Sequence, residues 1–451
     1  MNLRRWLTPG IGIKRWLLVV FAGLLLLALA GAHVIRQATR DLEPGGATQV
    51  VIDAVTLPVL PYALRGLIVG VIGAGLVLLG SYRVIRAFME PFRATDADRP
   101  LVELIYQKRF LARGPHIVAI GGGTGLSSLL RGLKEHTSNL TAIVTVADDG
   151  GSSGALRTEL GIPAVGDIRN CIAALADAEP LMSELLQYRF GGAGSRDALA
   201  TALPGATDGG RLAGHAVGNL LIAAMTAIEG GDFEEGVRQV NRVLAVRGRV
   251  VPVSPVPLTL HARLRDGSTV EGQSRIGRAV GIERVWVSPP DVRASDDALA
   301  AIAEAEVIVL GPGSLFTSLL PALLVPAVRD AVSASSALRI YVCNVATQRG
   351  ETEGYDLAAH LETIAAHTAP RLVDAVLANN RFDATVPGEW HAEPVKLRWP
   401  PALATAPRLV LDDVVDPDNA HHHESTRLAA ALMRIVERER PRHRAGVART
   451  A

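Results

Sequence analysis

A chain of 451 residues is longer than one hydrophobic core organises, so more than one structural unit is expected. With 49% hydrophobic residues and a mean hydropathy of +0.25, the composition excludes a disordered polymer and points to membrane segments. The 46 basic and 45 acidic residues nearly cancel, which excludes a global field for nucleic acid; 4% aromatics exclude a stacking platform, and two cysteines, Cys171 and Cys343, exclude a disulfide framework or a cysteine-rich zinc site.

Residues 16–32 carry no polar side chain apart from the indole of Trp16, and the run continues through His33 to Val34 and Ile35. At about 1.5 Å per residue, roughly 20 residues cross the hydrocarbon core. A second run covers 66–82 and is preceded by an apolar stretch broken at Pro58 and Pro61. Gly70, Gly73 and Gly75 would let the two helices approach closely. Arg4, Arg5, Lys14 and Arg15 precede the first span and Arg83, Arg86 and Arg93 follow the second, whereas the connection balances Arg36 and Arg40 with Asp41, Glu43 and Asp53. The positive-inside rule then puts both ends in the cytoplasm. The expectation is a transmembrane hairpin over 1–93 (spans about 16–35 and 62–82) in the inner cell membrane, then a linker over 94–113. The competing reading is a signal peptide cleaved after Ala28-Leu29-Ala30; it would flip the second span and send the motifs below to a compartment poor in nucleotides.

From residue 114 strands and helices alternate. The run 116–120 is a strand, Gly121 to Gly125 a glycine turn, and Leu126, Leu129, Leu130 and Leu133 a helical stripe. A strand over 142–146 follows, then helices from about Asp167, from Pro180, over 219–228 (nearly all apolar, hence expected buried) and from Asp232 to about Leu244, where Asp232 and Glu235 read as a capping box. The period changes to two over 258–271 around Asp266-Gly267, which predicts a β-hairpin beside the main sheet. Alternation then resumes: strands at 285–287, 307–310, 338–343 and 373–377, helices over 297–305 and from Asp356 to about His367. Residues 383–410 read as an irregular crossover, 425–438 as a closing helix, and the basic tail 439–451 as disordered. The fold class is α/β, a Rossmann-like, doubly wound, mostly parallel sheet with a small hairpin insertion.

In such sheets ligands bind at the carboxyl ends of strands. Gly121, Gly122, Gly123, Thr124 and Gly125 end the first strand, where bare backbone N–H groups can approach a phosphate; a tight packing turn explains the glycines equally well. Asp148 and Asp149 end the second strand, near where a ribose-reading acid would fall, and Gly150, Ser152 and Ser153 follow as candidate donors to an anion. Asp167 stands at a helix start with Arg169 and Asn170 in the first turn, a candidate ligand group or a plain N-cap. His215 is a candidate base or a core histidine, with Asn219 close behind. Gly311, Gly313 and Ser314 form a second strand-end cradle, and Asn344 opens a polar loop with Thr347, Gln348, Glu351, Thr352 and Glu353. The run His421-His422-His423-Glu424 is a metal candidate or a solvated stretch. No P-loop is present in the sequence.

The segments IVAIGGGTGLSSLLRGLK, TSNLTAIVTVADDGGSSGALR, GDIRNCIAALAD, LLQYRF, GHAVGNLLIAAM, LGPGSLFTSLLP and YVCNVATQRGETEGY together resemble the YvcK family of gluconeogenesis factors, which share a superfamily with the 2-phospho-L-lactate transferases (CofD). The likeness runs from about residue 116 to 367. It implies a Rossmann-like domain over 114–438 that binds UDP-sugars or NAD-like molecules, with a role in gluconeogenic carbon metabolism, cell shape and cell-wall synthesis. The hairpin departs from the family, whose better-known members are soluble. The leading expectation is a membrane-tethered cytoplasmic sensor of a UDP-sugar, a homo-oligomer with cell-wall synthesis proteins as partners. A second is a Mg²⁺-dependent transferase with Asp148 or Asp149 holding the metal. A third, weaker for want of an acid–base pair, is a nicotinamide-dependent oxidoreductase.

Overall fold

The computed structural model describes residues 110–177, 179–191, 212–382, 392–399 and 407–450. The expected hairpin over 1–93 and most of the linker lie outside the described residues. The chain divides into two compact units, Met1–Arg109 and Phe110–Ala451.

The second unit opens with β1 (Ile117–Gly121), α1 (Gly123–Leu133), β2 (Leu140–Val144), α2 (Gly151–Leu160), α3 (Gly166–Leu175), α4 (Glu179–Gln187), α5 (Val217–Ile228), α6 (Phe233–Val243) and β3 (Arg249–Pro252). An inserted segment supplies β4 (Thr259–Leu264), β5 (Thr269–Glu271), the short helix α7 (Gln273–Ile276) and β6 (Ile282–Ser288). The chain then returns through α8 (Asp296–Glu304), β7 (Val307–Leu310), a π-helical turn (Leu315–Leu319) running into α9 (Leu320–Leu323), α10 (Pro326–Ala334), β8 (Leu338–Val342), α11 (Leu357–His367), β9 (Ala375–Asn379), β10 (Arg408–Asp412) and α12 (Ser425–Thr450).

The main sheet has seven strands in the order β10-β9-β8-β7-β1-β2-β3, and every neighbouring pair is parallel. Strand order grows one way from β1 to β3 and the other way from β7 to β10. Right-handed crossovers therefore place α1 and α10 on opposite faces. This is the Rossmann-like arrangement expected, with its reversal point between β1 and β7. The stripe Leu126, Leu129, Leu130 and Leu133 of α1 is fully buried along with Ile117 and Ile120 of β1. Each such side chain contributes about 1.5–3 kcal/mol through burial. Half of the capping box holds: the Asp232 side chain accepts from Glu235 N at 3.0 Å, but the Glu235 carboxylate turns to Arg238 and Gln239 instead of reaching back to Asp232 N.

Several expectations are corrected. The strand at 285–287 does not resume the main sheet; β6 pairs antiparallel with β4, giving a three-stranded insertion in the order β5-β4-β6. Its alternation, with Val285 and Val287 buried and Arg284 and Trp286 exposed, fits a sheet with only one covered face. Strand β10 begins inside the expected crossover and runs two residues past it: as a half-exposed edge strand it has no continuous buried apolar run to announce it. Helix α5 is not buried all round: Gly218, Asn219, Ile222, Ala223 and Thr226 are buried, Leu220, Leu221 and Met225 pack on the core half-buried, and Ile228 is 73% exposed. Ser152 and Ser153 lie in the first turn of α2 rather than in a loop. The closing helix continues to Thr450 instead of giving way to a disordered tail, in keeping with the helix propensity of its Arg and Ala residues. Among the described residues no single helix is long and apolar enough to cross a membrane.

One buried cation locks α1 to α3. Lys134, at the end of α1, donates from Nζ to Ala174 O at 2.8 Å and Ala176 O at 2.9 Å, the last carbonyls of α3. A positive charge at a helix C-terminus is favourable, and these carbonyls have no intrahelical donor. Lys134→Met keeps the stem and removes the ammonium. It is expected to lower unfolding free energy by about 2–3 kcal/mol, read as a lower midpoint in urea denaturation of the full-length chain.

Candidate functional site

The reversal of strand order between β1 and β7 leaves a crevice at their carboxyl ends, and both glycine loops end there. Gly122 is extended, Gly123 adopts φ +66°, and α1 begins at once with no side-chain cap and no acid in its first turn. The first-turn N–H groups of Thr124 and Gly125 therefore face the crevice without intrahelical partners. Across it, a Cβ on Gly125 would lie 2.8 Å from Pro312 O and 2.9 Å from Gly313 N, so the loops after β1 and β7 touch backbone to backbone.

A cleft of about 130 Å³ opens over this contact. Gly122, Gly123, Thr124, Gly125 and Ser128 line one side, Gly313, Ser314 and Ser318 the other, and Asn344, Gln348 and His421 to His423 the back. The loop after β8 secures the second cradle. Gln348 Nε2 donates to Ser314 Oγ at 2.9 Å and Gly313 N points to Asn344 Oδ1 at 3.4 Å, while the buried Glu351 accepts from Phe316 N at 3.2 Å and from the Thr317 hydroxyl. Burial raises the Glu351 carboxyl above its usual range despite those bonds. His423 is buried with Nε2 3.2 Å from Cys343 O, and burial drives its pKa down to about 4. It is neutral at physiological pH and donates from Nε2, which leaves Nδ1 without a proton.

The remaining sequence-predicted residues form a second layer beside the glycines. Ser153 Oγ accepts from Val165 N at 3.1 Å and Gly166 N at 3.2 Å and bonds the Asp148 carboxylate, whose Oδ1 also accepts from Gly150 N at 2.9 Å. Ser152 Oγ accepts from Asn219 Nδ2 at 3.0 Å and Ala216 N at 3.2 Å, which leaves its own proton for His215 Nδ1 at 3.2 Å. Both hydroxyls are thus spent on the protein. Arg169, buried, reaches Asn219 Oδ1 at 3.2 Å and Asn170 Oδ1 at 3.0 Å, and Asn170 also takes a bond from Gln187 at 2.8 Å. Asp149 turns the other way, accepting from Ser274 N at 2.8 Å in the inserted segment.

Asp167 joins the two layers. Its carboxylate accepts from Gly123 N–H and packs so closely on Gly122 that a Cβ there would meet Oδ2 at 2.4 Å. The residue is partly accessible, but Oδ2 is enclosed and has no hydrogen-bond partner. Burial, then repulsion from Asp148, pushes its pKa up to about 7, only partly offset by the Gly123 bond and by Arg169. The carboxyl neighbour completing a pair with Asp148 at the glycine turn is therefore Asp167, 18 positions after Asp149 in the chain, which adjacency in sequence could not reveal. Ser128 and Ser318 are cleft residues that sequence reasoning left out of the site, and Gln348 was placed only in the polar loop opened by Asn344. The histidine run was visible in the sequence, but nothing there placed it on this cleft.

The raised pKa has a stability consequence. Between the unfolded value of 3.8 and the folded value of about 7 the native state holds more protons. Asp167 therefore costs stability as pH rises through that window and adds no further loss above it. Because the residue is partly accessible, the cost is on the order of 1–3 kcal/mol. Asp167→Asn, uncharged at every pH, is expected to gain that much relative to wild type between pH 5 and pH 8, measured by chemical denaturation at the two pH values.

A family model described as 2-phospho-L-lactate transferase CofD matches residues 117–396. The gluconeogenesis factor of Halalkalibacterium halodurans is 43% identical over 324 residues, covering 70% of this chain and 95% of that protein. The gluconeogenesis factor of Bacillus subtilis is 40% identical over 336 residues, covering 72% of this chain and 100% of that protein. A relative from Nostoc sp. is 42% identical over 438 residues, 95% of this chain and 92% of that protein, so the likeness takes in most of the N-terminal unit as well. Among solved structures, the crystal structure of a UPF0052-family protein from Bacillus halodurans at 2.60 Å resolution superposes with a TM-score of 0.62 at 41% identity, covering 71% of this chain and 99% of that chain. With the family model spanning more than half of its length and two gluconeogenesis factors aligned nearly end to end, the chain belongs to the CofD family and, within it, to the gluconeogenesis factors.

Proposed function

We propose that the α/β unit binds a UDP-sugar in the crevice between β1 and β7 and acts as a nucleotide-sugar sensor in carbon metabolism. The observation that carries this reading is the backbone contact at Gly125, which sets two glycine loops side by side under the open N-terminus of α1. Uncapped N–H groups and the positive end of a helix dipole favour a diphosphate there. The gluconeogenesis-factor designation of the relatives supports the metabolic setting. The cell-wall and cell-shape link rests on the family resemblance alone, as do the homo-oligomer and the cell-wall partner proteins.

Isothermal titration of the full-length chain with UDP-N-acetylglucosamine is expected to show saturable binding without product. Gly125→Ala, which would push the two loops apart, should lower affinity at least about tenfold, the effect of losing one or two hydrogen bonds to a charged group. Equal affinity in the folded variant would contradict the reading.

A second reading is favoured by the enclosed, unpartnered Oδ2 of Asp167 beside Asp148. This pair fits a divalent cation as hard oxygen ligands, although among the described residues no group of three or more acidic, histidine or cysteine side chains converges on one point. In a transferase, Asp148 and Asp167 would hold Mg²⁺, which supplies charge neutralisation at a phosphate leaving group. Asp148 is kept in place by Ser153 and Gly150, while the glycine turn positions the phosphates. Product formation that requires Mg²⁺ and is lost in Asp148→Asn separates this reading from the sensor.

The membrane attachment belongs to the same proposal and rests on the arginine-flanked apolar runs at 16–35 and 66–82. Reporter fusions after Arg93 should report cytoplasm and fusions at Gly45 the outside. A cytoplasmic signal at Gly45 would contradict the hairpin.

A further inference from the structure

We infer that Asp149 is a positioning residue: through helix α7 of the inserted sheet it braces the loop after β2 against the loop after β7, and so holds the second phosphate cradle at a fixed distance from the first. This deepens the nucleotide-sugar reading and rests on it for its effect on affinity.

The brace can be followed bond by bond. Asp149 Oδ1 accepts from Ser274 N at 2.8 Å, and its Oδ2 lies where a Cβ on Gly272 would stand, 2.1 Å from that position. Gly272, at φ +95°, admits no side chain there, and its own N–H donates to Leu260 O at 2.8 Å, which anchors α7 to β4. From the adjacent position at the start of the same short helix, Gln273 Nε2 donates to Thr317 O at 3.1 Å, in the π-helical turn that follows Ser314. Thr317 is also held by Glu351, so α7 links the ends of β2, β7 and β8. The insertion lies between the two halves of the main sheet in sequence, after β3 and before β7. It is therefore free to cross from one half to the other. The contact at Gly125 fixes the cradles at the floor of the crevice; α7 fixes them at the rim.

The chemistry required of Asp149 distinguishes this role from binding ribose or a cation. Accepting a hydrogen bond from Ser274 N needs an acceptor oxygen, which asparagine also supplies. Ligating a cation or bonding ribose hydroxyls with full strength needs the charge. Two measurements on the full-length chain test the brace. In hydrogen exchange, Asp149→Ala should accelerate the amides of 313–319, which lie across the crevice from the substitution, and Asp149→Asn should leave them near the wild-type rate. In titrations with UDP-N-acetylglucosamine, Asp149→Ala should lose about tenfold in affinity, the effect of one lost charge-assisted hydrogen bond, and Asp149→Asn should recover most of it. Gln273→Ala breaks the brace at its other end and should reproduce both effects, and the double variant should be no worse than either single one, since both act through the same helix.

Unchanged exchange at 313–319 in both Asp149→Ala and Gln273→Ala would overturn the brace. So would an Asp149→Asn variant as weak in binding as Asp149→Ala, because it would put the carboxylate on the ligand. If the wild-type chain failed to bind UDP-N-acetylglucosamine while the exchange pattern held, the nucleotide-sugar reading would fall and the brace would stand.

Discussion

Where strand order reverses, the loops leaving β1 and β7 lie so close that a single methyl group on Gly125 would sit 2.8 Å from a carbonyl oxygen of the opposite loop. Backbone-to-backbone packing of this kind requires glycine at the contact, and side chains reach only some of the nearby N–H groups: Asp167 takes that of Gly123, while those of Thr124 and Gly125 have no intrahelical partner. The polar edge of the sheet is therefore built from main-chain donors, and the surrounding side chains support those donors. Gln348 and Glu351 steady the β7 loop, Asp167 takes the first N–H of α1, and Ser152 and Ser153 use their hydroxyls to hold α2, α3 and α5 together.

Charge follows the same logic. The crevice has a helix end with open first-turn N–H groups on one side and an acidic pair, Asp148 and Asp167, behind it. An anion at the α1 terminus gains from the helix dipole but sits near those carboxylates. Protonation of Asp167 or a cation between the two removes that repulsion. A buried carboxyl with a pKa near neutrality is thus a consequence of the packing that makes the glycine turn possible, since its Oδ2 rests on Gly122, where any Cβ would displace it.

Much of the fold was legible because the elements nearest the site are the most deeply buried. Strands β1, β2, β7 and β8 show as short apolar runs, and each glycine loop follows one of them. Strand β10 was not legible, because an edge strand with half-exposed side chains carries no such run. Strand β6 was visible as a strand but not as a member of the inserted sheet, because alternation shows that one face is covered without showing by which neighbour. For the site, the residue types and their loops could be read, but their directions could not. Asp148 and Asp149 are adjacent in sequence, yet one turns to Ser153 and the other to Ser274, 125 residues further along. The partner of each depends on how the insertion folds over the sheet.

The central claim is that a nucleoside diphosphate lies between the two glycine loops. The most direct measurement is an NMR titration of the full-length chain, labelled with ¹⁵N-glycine and assigned, using UDP-N-acetylglucosamine. The account predicts saturable shifts at the amides of Gly123, Gly125 and Gly313, with Gly248, at the opposite end of the strands, unmoved. Shifts at Gly248 with Gly123, Gly125 and Gly313 unperturbed would contradict it.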